Sequence, residues 1–151
     1  MSNNIKESLL TQCFQKVEER HRNLQKVFGE LHESLSTEIK SSAGDKHETT
    51  RAMLQLEREK LGQQLMDVDN LSVTLSKIDV KRTTAQVAFG SVVFTTNSNY
   101  FIAVSLGQLT ADKQDFFAIS STTPIGQILL GKRVGDQINF RDQLFKITKI
   151  I

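Results

Sequence analysis

The chain has 151 residues, and its 19 basic and 17 acidic residues give a formal charge of +2, which excludes a general electrostatic attraction to nucleic acid. Its single cysteine, Cys13, excludes an internal disulfide and has no partners at metal-ligand spacing, so we expect a reducing, cytoplasmic location. No apolar run approaches the ~20 residues that cross a bilayer, and the N-terminus does not resemble a signal peptide, so no membrane partner is expected.

Two long stripes of apolar residues predict two long helices. The first, over about Ile5 to Ser41, carries Leu10, Phe14, Val17, Leu24, Phe28, Leu31 and Leu35, with His21 in one position. The second carries Leu54, Leu61, Leu65, Val68, Leu71, Leu75 and Ile78, with a break at Glu57 and Arg58. The alternating four-three spacing is typical of a coiled coil. Because isolated helices gain little stability from propensity alone, we predict that the two pair as an antiparallel hairpin.

The stretch between the stripes, SSAGDKHETTR from Ser41 to Arg51, predicts a turn at the tip of this hairpin. Gly44 can end one helix in the left-handed conformation, and Asp45 can cap the next. Asp45 and Glu48 are three residues apart, which brings two carboxylates to the first helical turn. They form either a capping box or part of a Mg²⁺ site that a partner completes, since Mg²⁺ is often held by one or two carboxylates plus water and phosphates.

The composition changes at Asp79 to Thr84, where the helical period stops, and the remainder of the chain contains no glutamate. We therefore divide the chain into a hairpin of residues 1–82 and a small domain of residues 83–151. Strands are predicted at Val87–Phe89, Ser91–Thr95, Tyr100–Leu106, Gln114–Ser120, Gln137–Arg141 and Leu144–Ile150.

A short helix is predicted from Pro124 to Leu130. Thr122 or Thr123 can cap it, Pro124 suits its first position, and Gly131 suits the position after its end. The expected fold class is α+β, with a small antiparallel sheet packed on one short helix. The chain lacks a Gly-rich phosphate loop, an HExxH pattern and a nucleophile elbow, so no enzyme activity of its own is expected.

The segment Ile119–Phe140, ISSTTPIGQILLGKRVGDQINF, resembles the C-terminal signature of bacterial Gre transcript cleavage factors. The matching residues are Pro124, Ile125, Gly126, Leu129, Leu130, Gly131, Lys132, Gly135 and Asp136. Phe89-Gly90 resembles the start of the same domain, and Gly44–Thr49 reproduces the Gly, Asp and Glu of the family's tip motif. The chain departs from the family at Thr49–Ala52 and keeps little of its GxxEAD stretch at Gly107–Asp112.

The resemblance implies an FKBP-like domain after an antiparallel coiled coil, in a monomer that binds RNA polymerase. The domain would dock at the polymerase secondary channel and the hairpin would enter it. Asp45 and Glu48 would then help to hold a Mg²⁺ ion shared with the polymerase, which cuts the 3′ end of a backtracked RNA. The factor would have no cofactor of its own. The residues expected to contact the partner are Gly44, Lys46, Arg51, Pro124, Ile125 and Gly126.

Three other functions stay open. A regulator that binds the channel without stimulating cleavage is favoured by the changed residues Thr49–Ala52. The coiled coil could instead serve as an adaptor. Prolyl isomerisation by the FKBP-like domain would need an aromatic-lined pocket, which the absence of Trp and the single Tyr100 disfavour.

Overall fold

The computed structural model describes residues 2–40 and 45–151, with the side chains of residues 4–37 and 48–151. Two long helices precede a six-stranded mixed sheet with one short helix, so the predicted α+β class is confirmed. The helices are α1 (Ser2–Lys40), α2 (Asp45–Ser76) and α3 (Pro124–Leu129). The strands are β1 (Val92–Thr95), β2 (Asn99–Ala103), β3 (Gly107–Ala111), β4 (Gln114–Ser120), β5 (Gln137–Phe140) and β6 (Gln143–Ile150).

The chain divides into two compact units. The base unit comprises Met1–Lys16 and Val73–Ile151, and the arm unit comprises Val17–Ser72. The base unit therefore contains the sheet, α3, the first turns of α1 and the last turn of α2.

The arm unit is an antiparallel helix pair. His21 Nε2 of α1 lies 3.3 Å from the Asp69 carboxylate of α2, and the Arg58 guanidinium lies over the Phe28 ring at 5.7 Å. An earlier position in α1 thus meets a later position in α2, which confirms the predicted antiparallel hairpin. Val17, Leu35 and Val68 of the stripes are buried, and their burial is what holds the pair together.

The sheet has the strand order β3-β4-β2-β1-β6-β5. Its neighbours are antiparallel except for β2 and β4, which run parallel from Asn99 opposite Phe116 to Ala103 opposite Ser120. The expectation of a purely antiparallel sheet is therefore wrong. The reason is β3, which the sequence analysis missed: it forms a hairpin with β4 through Asp112 and Lys113, so the chain returns beside β2 in the same direction.

The strand predicted at Val87–Phe89 is also wrong. The Val87 N–H donates to the Lys132 carbonyl oxygen at 2.8 Å, and the Val87 carbonyl oxygen accepts from the Gly131 N–H at 2.8 Å. This pairing is limited to an isolated bridge between Gln86 and Arg133, because Gly90, with a φ of 89°, then turns the chain into β1.

The sheet carries an apolar core on each face. On one face, α3 packs onto a cluster of Val87, Val93, Ile102, Leu129, Ile138, Phe145 and Ile147. On the other face, Val92 lies opposite Phe101, and Phe101 lies opposite Ala118 in β4. Val92, Phe101 and Phe116 are fully buried, as two-sided burial of the central strands requires.

The first turns of α1 close the edge of the sheet at β3. Gln12 Nε2 donates to the Thr110 carbonyl oxygen at 2.8 Å, and Lys16 Nζ donates to the Gln108 carbonyl oxygen at 3.1 Å. These bonds satisfy backbone acceptors that an edge strand would otherwise leave open to another chain. Leu9 and Cys13 of the same helix turns are fully buried. Phe14, which we placed in the hairpin stripe, is exposed instead.

Candidate functional site

The predicted tip falls partly on residues 41–44, which lie outside the described part of the chain. α1 ends at Lys40 and α2 begins at Asp45. Gly44 lies outside the described residues, as do the side chains of Asp45 and Lys46. Glu48 occupies the first turn of α2, and Arg51 follows three residues later; both are exposed.

A carboxylate on this turn can meet a ligand in solvent, because Glu48 is not covered by other described residues. Positions 45 and 48 are neighbours on the helix surface. Among the residues that the structure describes, no group of three or more His, Cys, Asp and Glu could hold a metal ion. Two carboxylates here would fit Mg²⁺ only if water, a partner or a phosphate supplied the other ligands, which is the usual manner in which proteins bind this ion.

Two large apolar side chains behind the tip are a feature that the sequence analysis missed. Met53 and Leu56 are 63% and 65% exposed and lie three residues apart on α2. Leu54, which lies between them and belongs to the predicted apolar stripe, is half-buried. The sequence signal that could have identified this exposed pair is that Met53 and Leu56 are apolar but fall outside the four-three stripe. Together they place an apolar surface within three turns of Glu48, of the kind that contacts a partner.

The start of α3 is built by local hydrogen bonds. Thr123 is the N-cap: its Oγ1 accepts from the Gly126 N–H at 3.1 Å and donates to the Ser120 carbonyl oxygen at 2.7 Å. Pro124 follows in the first turn and is exposed, and Ile125 packs against the core cluster of this face. Gly126 is buried, and it is packed so closely that a Cβ there would overlap the Ser120 carbonyl oxygen and come within 2.9 Å of Thr123 Oγ1.

The loop after α3 is shaped by the other residues of the signature. Gly131 and Gly135 have φ of 81° and 94°, a region that favours glycine. Asp136 accepts from the Arg133 N–H at 2.7 Å through Oδ2. These residues have a conformational role in the turn. The loop also exposes Val134 and, at its start, Leu130.

The remaining reactive side chain, Cys13, is fully buried in α1. Burial raises the pKa of its thiol to about 11, against a weaker opposing effect of the Lys16 charge. The thiol is therefore a poor nucleophile at neutral pH.

The described helices include none that is both long enough and apolar enough to span a membrane.

Comparison with known proteins finds no matching family model and no matching curated protein. Among solved structures, the chain is similar to one described as the structure of the transcription factor Gfh1. The match covers 99% of this chain and 95% of that chain, at 20% sequence identity and a TM-score of 0.34.

Proposed function

We propose that the chain is a Gre-type transcription factor that binds RNA polymerase and stimulates its cleavage of backtracked transcripts. The observation that carries the proposal is the exposed Glu48 carboxylate in the first turn of α2, the second of two long antiparallel helices. The Gre-like segment Ile119–Phe140 in the base unit supports the same function.

In this proposal the tip residues act together with the polymerase. Asp45 and Glu48 would hold a Mg²⁺ ion that the polymerase also binds. That ion, when bound, supplies Lewis-acid activation of a water for phosphodiester hydrolysis. Lys46 and Arg51 would attract the RNA phosphates near its 3′ end. The chain supplies carboxylates and charge, and the polymerase performs the cleavage.

Partner contacts would come from two surfaces. Near the tip, Met53 and Leu56 offer an apolar surface that a channel wall can cover. In the base unit, Pro124 is exposed beside the half-buried Ile125, and the loop after α3 adds Val134. Gly44, also expected at the partner interface, would act through its backbone. Gly126 is buried, and its N–H and carbonyl oxygen are bonded to Thr123 and Leu130, so it would act by holding the start of α3 in place.

The test adds the protein to backtracked elongation complexes of its own organism's polymerase and follows RNA length. We expect Mg²⁺-dependent shortening by the parent chain. Asp45→Asn and Glu48→Gln should lose most of it, since Asn and Gln can accept capping hydrogen bonds as Asp and Glu do but carry no charge. Both variants should melt near the parent temperature and compete normally for polymerase. Glu59→Gln, an exposed α2 carboxylate far from the tip, is the matched control.

The departures from the family at Thr49–Ala52 favour a second candidate, a channel-binding regulator without cleavage. That function predicts polymerase binding and altered initiation, with no RNA shortening by parent or variants. If the parent and both tip variants shorten RNA equally, the carboxylates serve as helix caps and the proposed mechanism is wrong.

A further inference from the structure

A small cavity in the base unit lies between the start of α1 and the linker after α2, which comprises residues 77–91. We call it the linker cavity; its lining includes Lys6, Lys77, Asp79, Arg82 and Ser91. Its volume is about 190 Å³. That equals about six water molecules at ~30 Å³ each, and it is below the ~300 Å³ that drug-sized ligands need. The cavity therefore fits one phosphate-sized group.

Lys6 provides a buried positive charge at this cavity. The residue is 3% exposed, and its Nζ donates to the Arg82 carbonyl oxygen at 2.6 Å. Within the described ranges, no carboxylate forms an ion pair with it. An ammonium group has three donors, so two N–H bonds remain for a ligand. Burial lowers the pKa of Lys6, and the Asp79 charge opposes that shift, so an anion in the cavity would stabilise the charged form.

The other polar groups of the linker cavity favour an anion. Lys77 and Arg82 add two positive charges, against one negative charge from Asp79. The Asp79 carboxylate is engaged in the linker turn, because its Oδ1 accepts from the Lys81 N–H at 3.0 Å. Ser91 Oγ accepts from the Ala88 N–H at 3.0 Å and can donate its own hydrogen to a ligand.

We propose that the linker cavity binds a phosphate-type oxyanion, with Lys6, Lys77 and Arg82 as its cationic partners. The oxyanion is either free phosphate or the terminal phosphate of a nucleotide whose remainder lies outside the cavity. Lys6 comes from α1, and Lys77 and Arg82 come from the linker after α2. The bound anion therefore joins two parts of the base unit and stabilises the folded state. This site is independent of the transcript-cleavage proposal.

The experiment titrates the full chain with inorganic phosphate and with ATP without Mg²⁺, by calorimetry and thermal melting, at constant ionic strength against chloride. We expect saturable binding and a melting temperature that rises with phosphate. Lys77→Gln and Arg82→Gln should each weaken the affinity about tenfold or more, as expected for a lost hydrogen bond to a charged group. Lys81→Gln removes the same charge beside the cavity and should bind like the parent.

Comparing the affinities of inorganic phosphate and ATP distinguishes the two possible sources of the phosphate group. Tighter binding of ATP, weakened by the same two variants, supports a nucleotide as the ligand; equal affinities support free phosphate. The proposal is overturned if phosphate gives no saturable signal beyond chloride. It is equally overturned if Lys81→Gln weakens binding as much as Lys77→Gln, because the effect would then follow net charge and not the cavity.

Discussion

Gly126 occupies a position in α3 where any side chain would collide with the backbone of the preceding turn. A Cβ would overlap the Ser120 carbonyl oxygen. We expect Gly126→Ala to lower the free energy of unfolding by about 1–3 kcal/mol, the usual cost of overpacking a well-packed site. Thermal or urea denaturation of the full chain measures this change.

Gly29 in α1 provides the matched control, because a Cβ there would meet nothing within 4 Å. Gly29→Ala should stabilise the helix by about 0.5–1 kcal/mol, since alanine loses less backbone entropy on folding. Opposite signs for the two variants support the packing role of Gly126. Equal tolerance of alanine at both positions would contradict it.

Cys13 offers a chemical test of how firmly the first turns of α1 are held. With a pKa of about 11, about one thiol in a thousand is ionised at pH 8. A thiol reagent should therefore react slowly with the native chain and fast in denaturant, as measured by absorbance. Native reaction at the denatured rate would show that this helix segment is open.

The raised pKa of the Cys13 thiol also determines the direction in which the stability of the folded chain changes with pH. The unfolded thiol ionises around 9.0, whereas the folded thiol ionises around 11. The contribution of Cys13 is therefore fully present below pH 9 and is lost as pH rises through 11. A Cys13→Ser variant provides the baseline for denaturation curves measured across this window.

At the scale of elements, the two long helices of the hairpin pack along a narrow row of buried apolar residues, which we call the seam. Val68 is 6% exposed in that seam, whereas Met66, two residues earlier on α2, is 60% exposed. Val68→Asp buries an unpaired charge and should cost several kcal/mol, seen by circular dichroism as a lower melting temperature of the helices. Met66→Asp should stay within about 0.5 kcal/mol of the parent. Similar melting temperatures of the two variants would contradict the assignment of Val68 to the buried seam.

The elements that the sequence predicts well are those with repeated or local signals. The stripes specify α1 and α2 because their spacing persists over many turns. Thr123 and Pro124 specify the start of α3 because capping is local. The predicted bounds of β4, Gln114–Ser120, agree with the structure.

The features that the sequence did not predict depend on distant parts of the chain. β3 has the sequence GQLTA, in which Thr110 is the one β-branched residue and none is aromatic, and it forms a strand through pairing with β4. Leu9 and Cys13 are buried where the stripe predicted Leu10 and Phe14, because the first turns of α1 also bind the sheet edge. The linker cavity joins Lys6 to Arg82, which are 76 residues apart.

The candidate tip stays a prediction from local signals, because residues 41–44 lie outside the described part of the chain. Asp45 and Glu48 lie in a sequence whose turn and capping signals agree, and α2 begins at Asp45. The exposure of Met53 and Leu56 was not predicted, because the stripe identifies the residues that pack and leaves the other apolar residues unexplained.

At the scale of the whole molecule, the boundary between the two compact units falls within both long helices. The predicted division after residue 82 assigns all of α1 to the hairpin, whereas the base unit groups Met1–Lys16 with Val73–Ile151. The bonds of Lys6, Gln12 and Lys16 to carbonyl oxygens of the linker and of the sheet edge are the physical reason. The first turns of α1 thus lie in the same compact unit as the sheet.

This grouping predicts that the arm unit can be removed without unfolding the base unit. His21 faces Asp69, so Lys16 and Val73 lie at nearly the same level of the antiparallel pair. Helix axes pack ~8–10 Å apart, and a linker of four Gly and Ser residues spans about 10–12 Å. A shortened chain in which this linker replaces Val17–Ser72 should melt cooperatively, as measured by calorimetry.

The fragment of residues 84–151 is the decisive comparison, because it lacks the α1 turns that cover the sheet edge. It would leave the Gln108 and Thr110 carbonyl oxygens of β3 without their α1 donors. We expect it to melt at a lower temperature than the shortened chain and to associate more readily, since an open edge strand pairs with other chains. Equal melting temperatures would mean that the first turns of α1 contribute nothing to the fold of the sheet domain.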